Sequence, residues 1–262
     1  MGYAAVFFDL FDTLVRFDRD RLPRIRVNGR VVHSTAGHLW DALRPHAPGV
    51  TLEQCYEALA GSWQEAERLR RIDDREVPAR ARFSDFFRRL ALDERGLPPG
   101  LGERLIDVHR DQLARAADFP PHHRGVLERL ARRCPLAVVS NFDYTPTALG
   151  ILEAAGVRDA FATVVVSDTI GWRKPRPDIF HAALRAVGVE PARTLFVGDR
   201  LEIDVVGAHR AGMPAAWINP AGDPAPPGAE RPEFEIRDLA EVEAIAGGGS
   251  VAPSRASQGR EG

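Results

Sequence analysis

Short apolar runs that stop abruptly at polar residues recur along the chain and predict buried parallel strands. Residues 4–8 are followed by Asp9, and residues 136–139 are followed by Ser140 and Asn141. The same pattern recurs at residues 162–166, 195–197 and 215–218. Because parallel sheets bind ligands beyond the carboxyl ends of their strands, the polar residues after these runs are candidates for a functional site.

Amphipathic stretches separate the later runs and predict helices between the strands. Thr145 is a candidate N-cap with Pro146 at the first helical position, and this helix is expected to run to Gly156. Residues 177–188 carry an apolar face, and residues 202–212 predict a third helix. This alternation predicts the α/β class, with a doubly wound, parallel, Rossmann-like sheet covered by helices on both faces.

A long insert separates the first strand from the second. Residues 25–32 alternate around Asn28-Gly29, which predicts a β-hairpin. Helical spacing follows, with Thr51 as a candidate cap for the second of four helices. The apolar positions that define the four helices are Leu39, Trp40 and Leu43; Leu52, Cys55, Tyr56, Leu59 and Trp63; Phe83, Phe86, Phe87 and Leu90; and Leu105, Ile106, Val108 and Leu113.

These patterns divide the chain into three parts. We predict a Rossmann-like core at residues 1–15 and 120–246 and an inserted helical cap domain, opened by the β-hairpin, at residues 16–119. Residues 247–262 are rich in Gly and Ser with few apolar residues, which predicts a disordered tail.

Composition adds few constraints. A chain of 262 residues can form one large domain or two modest ones, and its formal net charge of −2 gives no sign of nucleic-acid or membrane binding. Cys55 and Cys134 match neither a metal-binding nor a disulfide pattern, which predicts reduced, buried thiols. No apolar stretch reaches the length of a membrane span, and the first residues lack the features of a secretion signal. The expected location is the cytoplasm.

Almost all of the basic residues are arginines and not lysines. Of 35 Lys and Arg residues, Lys174 is the single lysine. Arg carries a planar fork, whereas Lys carries a compact point charge on a flexible stem. An exception of this kind indicates a site shaped for a point cation beside a carboxylate and a phosphate, and its alternative explanation is an accident of composition.

Five residues at or near strand ends carry candidate chemistry. Asp9 is placed as a carboxylate nucleophile, and the Ser140 hydroxyl can donate to a phosphate oxygen. Lys174 would neutralise the nucleophile and the substrate oxygens. Asp199 and Asp204 have a spacing that suits Mg²⁺ held by few protein ligands and several waters. Each residue taken alone fits a helix cap or a turn, but their order at successive strand ends favours a catalytic site.

In these motifs the chain resembles the haloacid dehalogenase (HAD) superfamily of hydrolases, in the group with a helical cap after the first motif (C1-type, subfamily I). The matching pieces are Phe8-Asp9-Leu10-Phe11-Asp12-Thr13-Leu14, Ser140-Asn141, Lys174-Pro175, and Gly198-Asp199 with Asp204. The resemblance implies that Asp9 is the nucleophile, Ser140 a phosphate ligand and Lys174 the third motif's cation. It further implies Mg²⁺ bound by Asp9, Asp199 and the backbone carbonyl of Phe11, with Asp204 either binding the ion or orienting its waters.

One position departs from the pattern of phosphatases in this superfamily. They usually carry a second Asp two residues after the nucleophile as general acid/base, and here that residue is Phe11. Asp12 is a doubtful substitute, because a shift of one residue near a strand end redirects the side chain. An aromatic residue at this position resembles the dehalogenase branch, where Tyr often occupies it. General acid/base catalysis contributes about 10²–10⁴-fold, so its loss would slow a phosphatase without abolishing it.

The acidic pair indicates phosphate chemistry instead, because transferred phosphate oxygens need cations. We therefore expect an Mg²⁺-dependent phosphatase of a small phosphorylated metabolite, acting through an aspartyl-phosphate on Asp9. Two alternatives stay open: a 2-haloacid dehalogenase in which Asp9 attacks carbon, and a binding protein that has lost turnover because of Phe11. The resemblance excludes the branch that uses a cap lysine as a Schiff base, because this cap has no lysine.

The substrate is expected to be small and anionic. Residues 16–30 hold an excess of Arg, including Arg26 and Arg30, which fits an anionic ligand and equally fits a solvated loop. Asn141 and Trp172 adjoin the second and third motifs and are the remaining candidates for contact with the substrate. The sequence carries no signal of oligomeric state.

Overall fold

The computed structural model describes residues 2–248 of the chain. Its strands are β1 (Ala5–Phe8), β2 (Arg16–Phe17), β3 (Arg24–Val27), β4 (Arg30–His33), β5 (Ala117–Asp118), β6 (Leu136–Ser140), β7 (Thr163–Val166), β8 (Thr194–Gly198), β9 (Ala215–Ile218) and β10 (Phe234–Ile236). Six of them form a parallel sheet in the order β10-β9-β8-β1-β6-β7.

The helices lie between these strands and in the insert. They are α1 (Ala36–Leu43), α2 (Leu52–Asp73), α3 (Ala79–Arg89), α4 (Leu101–Ala116), α5 (Pro121–Ala131), α6 (Thr145–Ala154), α7 (Ser167–Ile170), α8 (Pro177–Val187), α9 (Val206–Arg210) and α10 (Val242–Ala246). A π-helical turn at Leu201–Val205 precedes α9. None of the helices in the described part has the length and apolar character of a bilayer-spanning segment.

Both faces of the parallel sheet are buried, because side chains alternate between the faces along each strand. In β1, Val6 and Phe8 pack with α5, α6 and α10, whereas Ala5 and Phe7 pack with α8 and α9. This arrangement confirms the predicted doubly wound α/β fold. Each of the five predicted strands is present with bounds within one residue of the prediction. The sixth strand, β10, is short and carries a central Glu235, so no apolar run marks it in the sequence.

The insert opens with the predicted hairpin and continues as four helices. Asn28 and Gly29 have φ angles of 50° and 76°, the left-handed pair that a tight two-residue hairpin turn requires. Thr51 forms the N-terminal capping box of α2 together with Gln54, as its predicted role as a cap requires. The helices enclose an apolar core of their own, which includes Leu39, Leu43, Phe83, Phe86, Phe87 and Leu105.

Hydrogen bonds close the insert and join it to the sheet-bearing part. The strands β2 and β5 pair at the two ends of the insert. The Arg173 amide donates to the Asp74 carbonyl at 2.9 Å, and the Glu76 amide donates to the Gly171 carbonyl at 2.9 Å. The insert therefore contacts the loop that carries Lys174.

Two local predictions differ from the structure. Tyr144, and not Thr145, occupies the N-cap position of α6, because the Thr145 amide and hydroxyl both donate to Oδ2 of Asp168 at 3.0 Å. The helix predicted at residues 202–212 begins instead with the π-helical turn. Of the predicted tail, residues 249–262 lie outside the described residues. Both cysteines are buried and free, as expected.

The core of the insert predicts the effect of removing one ring. Phe86 is fully buried, so Phe86→Ala should lower the free energy of unfolding by about 3–5 kcal/mol through lost burial and a cavity. Ile72 is 68% exposed, and Ile72→Ala should change that free energy by no more than about 0.5 kcal/mol. Urea unfolding followed by tryptophan fluorescence measures both variants. Equal losses in the two would contradict this assignment of the core.

Candidate active site

The site forms where the order of strands reverses along the sheet. The central strand β1 pairs with β6 on one side and with β8 on the other, and Asp9 follows β1 directly. Ser140 ends β6, and Gly198 and Asp199 lie at the end of β8. The carboxyl ends of these three strands meet at one edge, which is where open α/β sheets bind ligands.

Lys174 lies buried between two of the carboxylates. Its Nζ is 2.5 Å from Oδ1 of Asp9 and 2.7 Å from Oδ1 of Asp204, and the residue is only 3% exposed. Burial lowers the pKa of Lys174, but the charges of Asp204 and Asp9 outweigh it and raise that pKa above its ordinary value. The single lysine of the chain is therefore a charged, paired cation at the sheet edge.

Asn141 holds the backbone of the loop that carries this lysine. Its Nδ2 donates to the Lys174 carbonyl at 2.9 Å, and its Oδ1 accepts from the Lys174 amide at 2.7 Å. The structure thus places Asn141 between the second and third motifs, with both polar atoms of its side chain engaged. The contact with substrate expected for Asn141 stays a prediction.

The approach of Asp204 depends on the absence of a side chain at Gly198. A Cβ at position 198 would lie 2.4 Å from both Cβ and Cγ of Asp204. The π-helical turn brings Asp204 to this point, and its Oδ2 accepts from the Arg200 amide at 3.0 Å. Such turns are rare and occur frequently at functional sites. The regular helix predicted here is replaced by the turn that brings Asp204 to Lys174.

Three carboxylates converge around the one lysine. Asp9, Asp199 and Asp204 each offer an oxygen within 4.8 Å of the others. Burial raises the pKa of Asp9 to about 6, although Lys174 opposes the rise. Burial, together with the charges of Asp9 and Asp204, raises the pKa of Asp199 to about 8. One lysine faces three carboxylates, of which Asp9 and Asp204 are buried and Asp199 is partly buried, so the formal charge of the cluster is negative.

A cavity of about 190 Å³ opens over these groups. Its wall includes Asp9, Lys174, Asp199, Asp204, Asn141 and Arg173. Ser140 is fully buried at the end of β6, and its Oγ has no hydrogen-bond partner among the residues that the structure describes. A buried hydroxyl without a partner is costly, which is typical of a group that serves a ligand.

The two residues that follow the nucleophile have separate surroundings. The ring of Phe11 packs against Phe142 at 5.1 Å and against Phe17 at 6.0 Å between centroids. Asp12 is exposed in the left-handed region with φ 59°, and its Oδ1 accepts from the Phe17 amide at 2.9 Å. Asp12 borders the small cavity while its side chain holds the turn. Its role as general acid/base stays a prediction.

Three substrate candidates lie elsewhere. The Trp172 ring is stacked by the guanidinium groups of Arg75 and Arg176, at 4.6 and 3.8 Å from its centroid, and it borders neither of the cavities described for this site. Arg26 and Arg30 lie on the hairpin with exposed side chains, and Arg26 donates to the carbonyl of Gly29. The structure therefore brings neither Trp172 nor these two arginines to the reacting groups.

A second, larger cavity adjoins the first. It encloses about 420 Å³ between α2, α3 and α4 of the insert and the loop after β6. The two cavities share Asn141 and Arg173 in their walls. At its inner end, Nδ1 of His109 lies 2.7 Å from Oγ1 of Thr35, and burial lowers the pKa of His109 to about 3. This histidine is therefore neutral.

An arginine–carboxylate network forms the wall between the insert and the sheet. Its members are Arg70, Arg82, Arg173, Glu67, Glu76 and Asp143. Glu76 is central, with Oε1 2.7 Å from Nη2 of Arg70, Oε2 2.5 Å from Nη1 of Arg173, and a further hydrogen bond from Ser167. Arg70 also binds Glu67, and Arg82 binds Asp143 at 2.9 Å.

None of the contacts in this network was predicted from the sequence. Asp143 and Arg173 lie close to the second and third motifs, and that proximity was a usable signal. Glu76 and its partner Arg173 are 97 residues apart, and nothing in the helical spacing of the insert distinguishes Glu76 from a solvated acid.

The comparison with known sequences defines the class of protein. A sequence profile of haloacid dehalogenase-like hydrolases matches residues 3–212. The chain belongs to the haloacid dehalogenase-like hydrolase family. The resemblance carried by the four motifs is thereby confirmed, and the protein is a hydrolase.

The names of individual relatives describe different activities. The chain is 32% identical over 154 residues to a phosphoserine phosphatase of Thermus thermophilus, which covers 59% of this chain and 61% of the relative. It is 36% identical over 165 residues to a pyrimidine 5′-nucleotidase of Escherichia coli, which covers 63% of this chain and 69% of the relative. The alignment thus spans less than two thirds of the phosphoserine phosphatase.

The fold likeness extends over more of the chain. A crystal structure of a 2-haloacid dehalogenase from Pseudomonas syringae matches with a TM-score of 0.70, covering 94% of this chain and 98% of that protein. At 24% identity this likeness bears on the fold alone.

The close approach at position 198 yields a matched pair of variants. Gly198→Ala should displace Asp204 from Lys174 and lower the free energy of unfolding by about 1–3 kcal/mol, as overpacking does. Gly150, inside α6, has no atom within 4 Å of an added Cβ. Gly150→Ala should therefore leave stability unchanged or raise it by up to about 1 kcal/mol. Thermal unfolding of both variants measures the difference, and a neutral Gly198→Ala would contradict the tight packing.

Proposed function

We propose that this hydrolase is an Mg²⁺-dependent phosphatase of a small phosphorylated metabolite, with Asp9 as the nucleophile. The observation that carries the proposal is the convergence of Asp9, Asp199 and Asp204 on a buried lysine. The names of the Thermus thermophilus and Escherichia coli relatives, a phosphoserine phosphatase and a pyrimidine 5′-nucleotidase, support the same reaction type.

The residues present fit a divalent cation. Hard carboxylate oxygens are the ligands that Mg²⁺ prefers, and it is usually bound by one or two carboxylates together with waters and substrate phosphate. Three carboxylates stand beside the one lysine, so a divalent cation would offset their charge. Asp9, Asp199, Asp204 and the backbone carbonyl of Phe11 would hold the ion. When bound, Mg²⁺ supplies positive charge to the oxygens of the transferred phosphoryl group.

In this mechanism the side chains at the carboxyl-terminal edge of the sheet have different roles. Lys174 holds Oδ1 of Asp9, which leaves Oδ2 to attack phosphorus. The new Asp9–phosphorus bond forms as the ester P–O bond breaks, and the electron pair leaves with the substrate oxygen. The Lys174 ammonium and the Ser140 hydroxyl donate to the non-bridging oxygens. Water then attacks the aspartyl-phosphate, releasing phosphate and restoring the Asp9 carboxylate.

Protonation of the leaving oxygen is the step for which the site offers the least catalytic help. Phe11 has no proton to give, and the Asp12 carboxylate accepts from the Phe17 amide. The leaving group therefore takes its proton from water or a group of its own, or from Asp12 after that hydrogen bond opens and the carboxylate takes up a proton from solvent. We expect good leaving groups to react faster than poor ones.

Hydrolytic dehalogenation is the second candidate, favoured by Phe11 alone. In that reaction Asp9 would attack carbon and expel halide. Attack on carbon needs no cation for phosphate oxygens, so it leaves the convergence of Asp199 and Asp204 unexplained. This asymmetry favours the phosphatase.

A substrate panel separates these reactions. We expect phosphate release from p-nitrophenyl phosphate and small phosphomonoesters with Mg²⁺, its loss with EDTA, and no halide release from 2-chloropropionate. Asp9→Asn should abolish turnover because an amide cannot form the phospho-enzyme, whereas Asp111→Asn, at an exposed position of α4, should not change it.

Three outcomes would count against the phosphatase. Phosphate release that persists in EDTA or in Asp9→Asn would exclude the mechanism. Halide release without metal would establish the second candidate. Mg²⁺ binding by calorimetry without any turnover would favour a binding protein.

The buried lysine predicts a penalty even for a conservative change. Lys174→Arg keeps the charge, but the larger fork does not fit between Asp9 and Asp204, and a misplacement of about 1 Å costs about 10²-fold in rate. We expect a loss of kcat of that size with folding retained in thermal unfolding. The exposed reverse change Arg185→Lys, on α8, is the control and should not alter kcat. Wild-type turnover in Lys174→Arg would make the single lysine an accident of composition.

A further inference from the structure

We propose that the larger cavity holds the leaving group of the substrate and selects a bulky, uncharged alcohol that carries a ring. The inference rests on the phosphatase proposed above and adds the class of phosphomonoester on which it acts. It is argued from the position of the cavity, the charges in its wall and the rings that line it.

The position of the cavity assigns it to the leaving group. Asn141 and Arg173 belong to the walls of both cavities, so the larger space begins beside the phosphate position. Its volume of about 420 Å³ is in the range of sites that enclose drug-sized ligands. A three-carbon leaving group would leave most of that space filled with water.

Among the described residues, each arginine that lines the larger cavity away from its rim is paired with a carboxylate. The three arginines of the arginine–carboxylate network are matched by its three acids, so the network has no net charge. His109 is neutral at the inner end, Arg19 lies at the exposed rim, and Nδ1 of His33 in the wall has no hydrogen-bond partner among the described residues. A carboxylate or a second phosphate on the leaving group would lose hydration without gaining an unpaired arginine or lysine in the interior, which is costly.

The remaining wall is suited to a flat apolar group. Phe17, Tyr56, Trp63 and Phe142 line the cavity together with leucine side chains. Trp63 is 51% exposed, an unusual state for the largest apolar side chain, and a ring laid against it would remove that surface from water. Gln64 and Ser34 supply neutral donors and acceptors beside the rings.

Phe11 joins the two cavities. It lines the small cavity, and its ring packs on Phe142 and Phe17, which line the large one. An apolar surface therefore runs from beside the nucleophile into the larger space. The leaving group would lie along this surface. Phe11, which begins it, occupies the position where phosphatases of this superfamily usually carry an Asp.

Rates on four phosphomonoesters test the proposal. Uridine 5′-monophosphate and benzyl phosphate have uncharged, ring-bearing leaving groups, whereas glyceraldehyde 3-phosphate and O-phosphoserine have small or charged ones. All four are esters of primary alcohols, which limits differences in leaving-group basicity. We expect kcat/KM for the first two to exceed that for the last two by at least about tenfold.

A variant that fills the cavity should reduce this preference. Ala60 of α2 lines the cavity, and Ala60→Trp should lower the ratio of kcat/KM for benzyl phosphate over O-phosphoserine by about tenfold. Ala131→Trp, at the exposed end of α5, should leave the ratio unchanged. If Ala60→Trp fails to fold, product inhibition of the native enzyme replaces it: uridine should compete with substrate, and serine should not.

The outcomes distinguish this inference from the function on which it depends. Absence of phosphate release from every ester would overturn the phosphatase itself. Phosphate release with equal rates, with a preference for O-phosphoserine, or with competition by serine would overturn only the assignment of the cavity.

Discussion

The geometry of the candidate active site depends on one buried ammonium group, that of Lys174, among three carboxylates. Lys174 contacts Asp9 and Asp204 directly, and Asp199 completes the cluster. Paired buried charges are stable only when their geometry is well defined. Three local features fix the geometry. The Asn141 side chain binds the backbone of Lys174, the π-helical turn positions Asp204, and Gly198 leaves room for the Asp204 side chain. The sheet supplies the common edge, but these local devices set the distances.

The two charged clusters of the molecule differ in their balance. The arginine–carboxylate network is neutral and buried, and it connects α2 and α3 of the insert to the loops that follow β6 and carry Lys174. Its partners satisfy one another, so its effect is to fix the insert over the site. The cluster around Lys174 has an excess of negative charge. The balanced network joins parts of the fold, whereas the cluster of Asp9, Asp199 and Asp204, in which burial raises the pKa values of Asp9 and Asp199, is a candidate functional site.

Residues at strand ends could be placed from sequence, and residues held by tertiary contacts could not. Asp9 and Asp199 follow apolar runs, and parallel strands bring such residues to one edge. Trp172 was expected near the site because it adjoins Lys174, but its ring contacts Arg75 of the insert and Arg176 of its own loop. Glu76 carries no motif, because its role arises only when the insert meets the sheet. The direction of a loop side chain and the contacts of an inserted helix lie beyond local spacing.

The aromatic residue at position 11 connects chemistry with packing. Phe11 packs on Phe142 beside the second motif and on Phe17 in β2, the strand that leads into the insert. A carboxylate in the place of this ring would have to be buried among aromatic groups without a cation, which is unfavourable. The position therefore serves as a wall and cannot also serve as an acid. In the proposed reaction, a site built in this way gives up proton transfer from position 11 to the leaving oxygen and gains apolar surface beside the nucleophile for the group that leaves.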